Sequence, residues 1–293
     1  MEQAGITAQS FIEDRAKISA QGLHYRELNR RIWQYIDQGV QEIEIDGVNG
    51  QRYIGGGIKA THVSISIRGV PGNDLASFME GPEIEVWGNA QDGVGNTMSA
   101  GMVIIHGQAG DIVGHSMRGG RIYVQGGAGY RIGIHMKAYQ DRFPVIIIGG
   151  RAGDFLGEYM AGGMIIVLGL HVTEAPGRPG SVTSNNMAAA AAAAPGWPPD
   201  GLWSWRYRSI AGNFIGTGMH GGVIYLRGEV EPHQLGKEVR AIRAGSDQQL
   251  LRPYLEDFCR RLYPELNADE LLAGTWTKLV PTTSRPYGRL YAY

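Results

Sequence analysis

The sequence predicts an all-β solenoid: a parallel β-helix of about nineteen residues per coil, with short helices flanking it at both ends. Three observations carry that reading. Glycine is in large excess, apolar residues recur in pairs at one fixed interval, and a second apolar ladder runs between those pairs.

The chain holds 45 glycines among 293 residues, about twice the ordinary usage of ~7%. Proline, at 13, is ordinary, and no three-residue period is present, which excludes collagen. Gly69, Gly88, Gly107 and Gly126 stand nineteen apart; a step of 24 leads to Gly150 and nineteen more to Gly169. A last member is Gly228, and a shorter match precedes them at Gly47.

Four places before these glycines stand Ile43, Ile65, Ile84, Val103, Ile122, Ile146, Ile165 and Ile224. Two places before stand Ile45, Ile67, Val86, Ile105, Val124, Ile148, Val167 and Leu226. An apolar residue at i and i+2 is the signature of a strand with one face buried. A second ladder, Met79, Met98, Met117, Met136, Met160 and Met219, lies between the strands. Four residues before each methionine is Leu75, Val94, Val113, Ile132, Leu156 or Ile215.

Nineteen residues leave no room for a crossover helix, but three short strands with glycine corners fit. Coils stacked ~4.8 Å apart as parallel strands give a rod roughly 35 Å long over eight rungs. Glycine reaches φ > 0 without a Cβ penalty, which suits sharp corners. Each inward ladder residue contributes about 1.5–3 kcal/mol at full burial. No coil is stable alone, so the ends of the stack need covers.

Three regions follow. Residues 1–40 form an N-terminal segment whose helix, 24–38, places Leu28, Ile32, Tyr35 and Ile36 on one face and ends near Gly39, a cap for the first coil. Residues 41–230 are the β-helix, interrupted at 172–209 by a proline-bearing excursion. The run Ala188–Ala194 within it reads as a turn or two of helix, or as positions whose true side chains differ, and no function is drawn from it. Residues 231–293 carry a helix over 247–263, with Leu251, Tyr254, Leu255, Phe258 and Leu262 at helical spacing and Pro253 opening or kinking it. From Trp276 to Tyr293 an aromatic, basic tail reads as an extended segment needing something to lie against.

Composition excludes several classes. Net charge is −1 and the pI about 6.7, without the basic face that nucleic acid or an anionic membrane requires. No signal peptide or run of ~18 apolar residues is visible, so a cytoplasmic location is expected. Cys259 is the single cysteine; it makes no internal disulfide, and an iron–sulfur cluster needs about four thiolates.

Candidate chemistry has a plain structural reading in each case. Gly55-Gly56-Gly57, Gly93-Val94-Gly95 and Gly126-Gly127-Ala128-Gly129 resemble phosphate loops, yet each leads into another β rung rather than a helix, so they read as corners. Of eight histidines, His115 and His135 are one coil plus one residue apart and can lie close together, with His220 on a further corner. No ligand spacing accompanies them, and they read as solvent-facing corner residues. Asp92, Asp111 and Asp154 recur in turns. Calcium ligation or a partner's basic patch are alternatives, but an Asp bonding its own backbone two residues on explains them more simply. Glu83 and Glu85 lie on the strand face opposite the core. The methionines read as core fillers and Cys259 as a small buried residue on a helix. No catalytic, cofactor-binding or metal-binding residue is assigned to this chain, which favours a scaffold or interaction role.

Several segments carry a family resemblance: GDIVGHSMRGGRIYVQGG at 110–127, GDFLGEYMAGGMIIVLG at 153–169 and GNFIGTGMHGGVIYLRG at 212–228. They resemble the GXGXG domain that closes the large subunit of glutamate synthases and also occurs as a separate chain. The likeness covers roughly 22–230 and extends to the tail, through Trp276-Thr277-Lys278-Leu279-Val280-Pro281 and Arg285-Pro286-Tyr287. It implies a right-handed parallel β-helix without catalytic residues, holding a class II glutamine amidotransferase against an FMN-dependent synthase. This chain has no N-terminal cysteine after Met1, flavin barrel or cluster cysteines. The resemblance therefore puts FMN and iron–sulfur clusters on partner subunits, among them an iron–sulfur or pyridine-nucleotide flavoprotein. The irregular stretch 172–209 leaves room for a specialised relative such as an N-methylglutamate synthase. The repeat is similar, too, to the β-helical component of formylmethanofuran dehydrogenase and of formyltransferase/hydrolase complexes. A self-assembling structural protein is the alternative of another class.

Overall fold

The computed structural model describes residues 14–170, 209–245 and 247–283. Of the excursion read at 172–209, all but Ser209 lies outside the described residues, the run Ala188–Ala194 included, as do His171, the first thirteen residues, residue 246 and the tail after Thr283.

The fold is a parallel β-solenoid of about 6 turns spaced ~21 residues apart. Its first elements are β1 (Arg15–Ser19), α1 (Tyr25–Asp37) and β2 (Glu42–Asn49). The coil strands continue as β3 (Ser64–Val70), β4 (Glu80–Trp87), β5 (Ala100–Ile105), β6 (Arg121–Val124), β7 (Val145–Ile148), β8 (Ala161–Val167) and β9 (Gly221–Leu226). The chain closes with β10 (Val239–Arg243), α2 (Gln248–Leu262), the short α3 (Ala268–Leu272) and β11 (Thr277–Pro281). All the described strands join one sheet in the order β1 to β9, then β11, then β10. Pairing is parallel up to β9 and antiparallel beyond it.

The ladder read from sequence is the observed register. Ile43, Ile65, Ile84, Val103, Ile122, Ile146, Ile165 and Ile224 pair directly, rung by rung. Their side chains and the second row from Ile45 to Leu226 are buried in one core, together with the methionines.

The expectation of three strands per coil is corrected: among the described residues each coil carries one strand. The Leu75–Met79 type segments are turns, because alternating positive φ prevents an extended run. The third side is a column of single-residue bridges, Ala90 to Ala109 to Ala128 to Ala152. Sequence reading passed over this alanine ladder, although it keeps the same intervals.

Both ends are covered. Leu28 and Ile32 of α1 close the first coil and join the core, as the helical face predicts. β1, which sequence reading did not anticipate, adds a strand beside β2. At the far end β11 lies antiparallel on β9, supporting the first part of the expected tail. Each end also holds a buried glutamine. Gln51 Nε2 donates to the Ala20 and Leu23 carbonyls at 2.9 and 3.1 Å. Gln234 Nε2 donates to the Ala211 and Gly212 carbonyls at 3.0 Å. These amides satisfy backbone acceptors where the stack stops.

Among the described residues, no helix is long and apolar enough to cross a membrane.

Candidate interaction surface

The corner after each strand decides the shape of the coil. In the coil of Arg131, Gly133 and His135, these three alternate residues all have positive φ. Their N–H groups reach in opposite directions. Arg131 and His135 donate to the Asp154 and Glu158 carbonyls of the following coil, both at 2.9 Å, while Gly133 donates back to Val113 at 2.8 Å. Each corner thus stitches a coil to both neighbours. The same triplet recurs at Ile112, Gly114 and Ser116 and at Phe155, Gly157 and Tyr159.

The middle residue must be small. A Cβ on Gly133 would stand 2.5 Å from Ile165 Cδ1, and one on Gly157 would stand 2.5 Å from Ile224 Cδ1. One coil departs from this rule: Ala76 takes the middle place at φ 59°. The ladder residue opposite it by register is Val103, the single valine in a row of isoleucines. Where the corner gains a methyl, the core loses one.

The outer members of the triplets carry side chains on left-handed backbone, which costs a non-glycine residue about 1–2 kcal/mol. Their rings stack along the corner. His135 lies on Tyr159 at 5.2 Å between centroids, and Phe155 on Phe214 at 4.9 Å, with Arg131 5.0 Å from the Phe155 ring. The proximity of His115 and His135 read from sequence is observed, at 6.1 Å. Burial, and then His135 beside it, lowers the His115 pKa below its ordinary value. His220 lies on a separate corner with Nδ1 3.2 Å from the Gly218 carbonyl.

This repeating corner is a motif in the strict sense, and the GXGXG motif family profile matches residues 44–284. The chain belongs to the GXGXG motif family. The uncharacterized protein MJ1350 of Methanocaldococcus jannaschii is 42% identical over 279 residues, covering 94% of this chain and 95% of that protein. Membership points to a glutamate synthase-related domain.

Within this GXGXG solenoid the aspartate ladder has a structural task, but not the expected one. Asp92 Oδ1 accepts the Asp111 N–H at 2.9 Å, Asp111 Oδ1 accepts the Tyr130 N–H at 2.8 Å, and Asp154 Oδ1 accepts the Asn213 N–H at 2.8 Å. The carboxylates therefore bond the next coil's backbone, not their own two residues on. Parallel coils bring that N–H closer than a local turn does. Gly55, Gly57, Gly93 and Gly95 are corners with positive φ, as their setting predicts. All six ladder methionines are buried. Cys259 is buried on α2, where burial pushes its thiol up to about 11.

The sheet's outer face divides in two. On β2 to β4 it presents Glu42, Glu44, Ser64, Ser66, Glu83 and Glu85, exposed or half-buried. Lys17 pairs Glu44 at 2.7 Å, and Glu85 meets His106 at 2.7 Å, with the His106 ring stacked 3.9 Å from Trp87. On β5 to β9 the same face, Arg121 apart, is apolar and lies beneath α2 and α3, forming a second core with Phe258, Leu255 and Trp276. Sequence reading found the C-terminal helix but left open where it docks. Asp257 anchors it, accepting from Tyr123 Oη at 3.0 Å and from Arg121 at 3.2 Å. Burial pushes the Asp257 carboxyl up, but the Tyr123 bond and the guanidinium groups of Arg261 and Arg260 outweigh it and hold it below the usual range. Arg261 also reaches Glu83 at 2.9 Å, tying the helix to the edge of the polar half.

Proposed function

We infer that this chain is a structural subunit of a multi-subunit glutamate synthase-type oxidoreductase, holding a glutamine amidotransferase polypeptide and an FMN and iron–sulfur synthase polypeptide together. The observation that carries the reading is the GXGXG coil itself, which runs through most of the chain and turns its candidate chemistry into packing. The aspartates bond the next coil, the methionines fill the core and Cys259 is buried in the layer of α2 and α3 that covers the sheet's outer face. One buried thiol does not fit an iron–sulfur cluster, which takes about four thiolates, so clusters belong to the partner polypeptides. A rigid rod with an exposed aromatic corner and a charged half-face supports a role in positioning larger subunits.

The test is gentle purification of the chain from its native cells, with mass spectrometry and a flavin spectrum of what travels with it. Co-purifying glutaminase and flavin polypeptides are expected, and His135→Ala in this chain should leave their glutamate-forming turnover unchanged. A formyltransferase or amidohydrolase partner would move the chain to the one-carbon complexes. Recovery of this chain alone, as an oligomer without flavin, would replace the reading with self-assembly.

A further inference from the structure

One coil is longer than its neighbours: Ile122 and Ile146 are 24 residues apart where the flanking intervals are nineteen. The added residues form a small protrusion. Tyr139 and Arg142 close it as an antiparallel bridge, with N–H to carbonyl bonds of 3.1 and 3.0 Å in the two directions. Arg142 is held by Glu80 at 2.6 Å. Its Cβ sits over Gly119, 2.9 Å from where a Cβ would be there. Tyr139 and Phe143 are left 50% and 48% exposed on this braced ledge.

Beside it stands Arg118, a cation with no acidic partner among the described residues. Arg118 precedes Gly119, and its Nε is buried with no hydrogen-bond acceptor. Such a donor has lost its hydration with no hydrogen bond to replace it. The backbone bonds of Arg118 to Met98 and of Lys137 to Met117 put these two residues in one row on adjacent coils. Lys137 is exposed, and among the described residues neither side chain makes an ion pair. Two neighbouring positive charges, one partly desolvated, call for a carboxylate, whose planar oxygens match a guanidinium. Half-exposed aromatic rings beside an arginine have the composition of an interface hot spot. A ledge already braced by backbone bonds loses little freedom on binding.

We propose that Arg118, Lys137, Tyr139 and Phe143 form the docking point for an acidic segment of a partner polypeptide. Arg118 receives its aspartate or glutamate, and Tyr139 and Phe143 cover the apolar residues beside that carboxylate. The proposal deepens the scaffold reading and rests on it for the existence of a partner.

The experiment replaces Phe143 with the photo-crosslinker p-benzoylphenylalanine in the full chain, irradiates the cells and sequences the linked peptide. The same crosslinker at Leu250, 52% exposed on α2, is the control. Expected is a peptide of another polypeptide with Asp or Glu next to the linked position. Its yield should fall about tenfold with Arg118→Gln, the equivalent of ~1.4 kcal/mol, and several-fold with the surface reversal Lys137→Glu, while the Leu250 product is unchanged. Links only to copies of this chain, no links at 143, or a yield indifferent to both substitutions would overturn the docking point. So would stabilisation of the isolated chain by inorganic phosphate that depends on Arg118 without any link at 143, which would make this a small-anion site. If glutaminase and flavin polypeptides co-purify but nothing links at 143, the scaffold reading stands and the docking point fails. If the linked acidic partner belongs to another complex, the reverse holds.

Discussion

Two stretches of the same sheet differ only in what they turn outward. Along one outward row the residues run Glu44, Ser66, Glu85, then Ile104, Tyr123, Ile147, Ile166 and Tyr225. The neighbouring row changes at the same rung, from Glu83 to Met102, and continues through Arg121, which pairs with Asp257 of α2, to Val145 and Met164. The inward rows stay aliphatic and buried at every rung. The coil therefore depends on the inner face, which every rung repeats, and the outer face is free to choose its cover. From β5 onward that cover is the chain's own α2 and α3; before it, the outer residues are exposed or half-buried.

The largest effect should come from breaking what both stretches share. Val124→Asp buries a charge in the inner row, which costs several kcal/mol, and should leave no folded protein by circular dichroism. A soluble, folded variant would mean that the row faces water. A charge placed on the outer row separates the halves. Ile104→Asp, under α2, should lower stability by about 3 kcal/mol and expose the amides of α2 to hydrogen exchange. Ser66→Lys, one half-face away, should stay within about 0.5 kcal/mol of the parent. Equal effects at both positions would erase the distinction.

How much of this was legible in the sequence follows from where side chains repeat. The inner rows recur at i and i+2 with fixed intervals, so strand positions and register could be read directly. The outer half-face was legible in principle, because strands such as VIII and MIIV are apolar on both faces. Its partner was not, since nothing in an amphipathic helix 100 residues away names the surface that it will cover. Asp257 and Tyr123 meet across 134 positions, and the unpaired Nε of Arg118 is a property of burial alone. The aspartate bonds were misassigned for a related reason: the bonded N–H is near in space because coils are parallel, and distant in sequence.

A middle-sized effect tests the corner that both halves share. Gly133→Ala forces a methyl toward Ile165 Cδ1 on left-handed backbone, and overpacking with that backbone cost should destabilise by about 2–4 kcal/mol. Adding Ile165→Val should return about 1 kcal/mol or more, copying the native pair of Ala76 and Val103. Denaturant unfolding of the two single variants and the double reads the coupling. A double variant no better than the sum of the singles would mean that the valine at 103 is unrelated to the alanine at 76.

The smallest effect concerns the clamp that holds α2 on the apolar half, and pH reads it from both sides. Asp257 is held below its ordinary value of 3.8. A depressed folded pKa contributes stability that is present above the unfolded value and lost as pH falls through the folded one. The helix should thus loosen only below about pH 4. Cys259 behaves in the opposite sense, its thiol raised from 9.0 to about 11 by burial. That stability is present below pH 9 and lost as pH rises toward 11. The thiol doubles as a reporter, because a buried, protonated sulfur does not attack an aromatic disulfide reagent. At pH 8 Cys259 should react far more slowly than in the unfolded chain. Asp257→Asn, which keeps the shape but removes the charge facing Arg121, Arg260 and Arg261, should speed that reaction several-fold while the melting of the inner coil moves by only about 1 kcal/mol. If Asp257→Asn leaves the thiol as slow as before, packing by Phe258 and Leu255 alone holds the helix and the aspartate merely decorates it. If thiol release and coil melting shift together, the two cores unfold as one, and the outer face is not the independent layer that its composition implies.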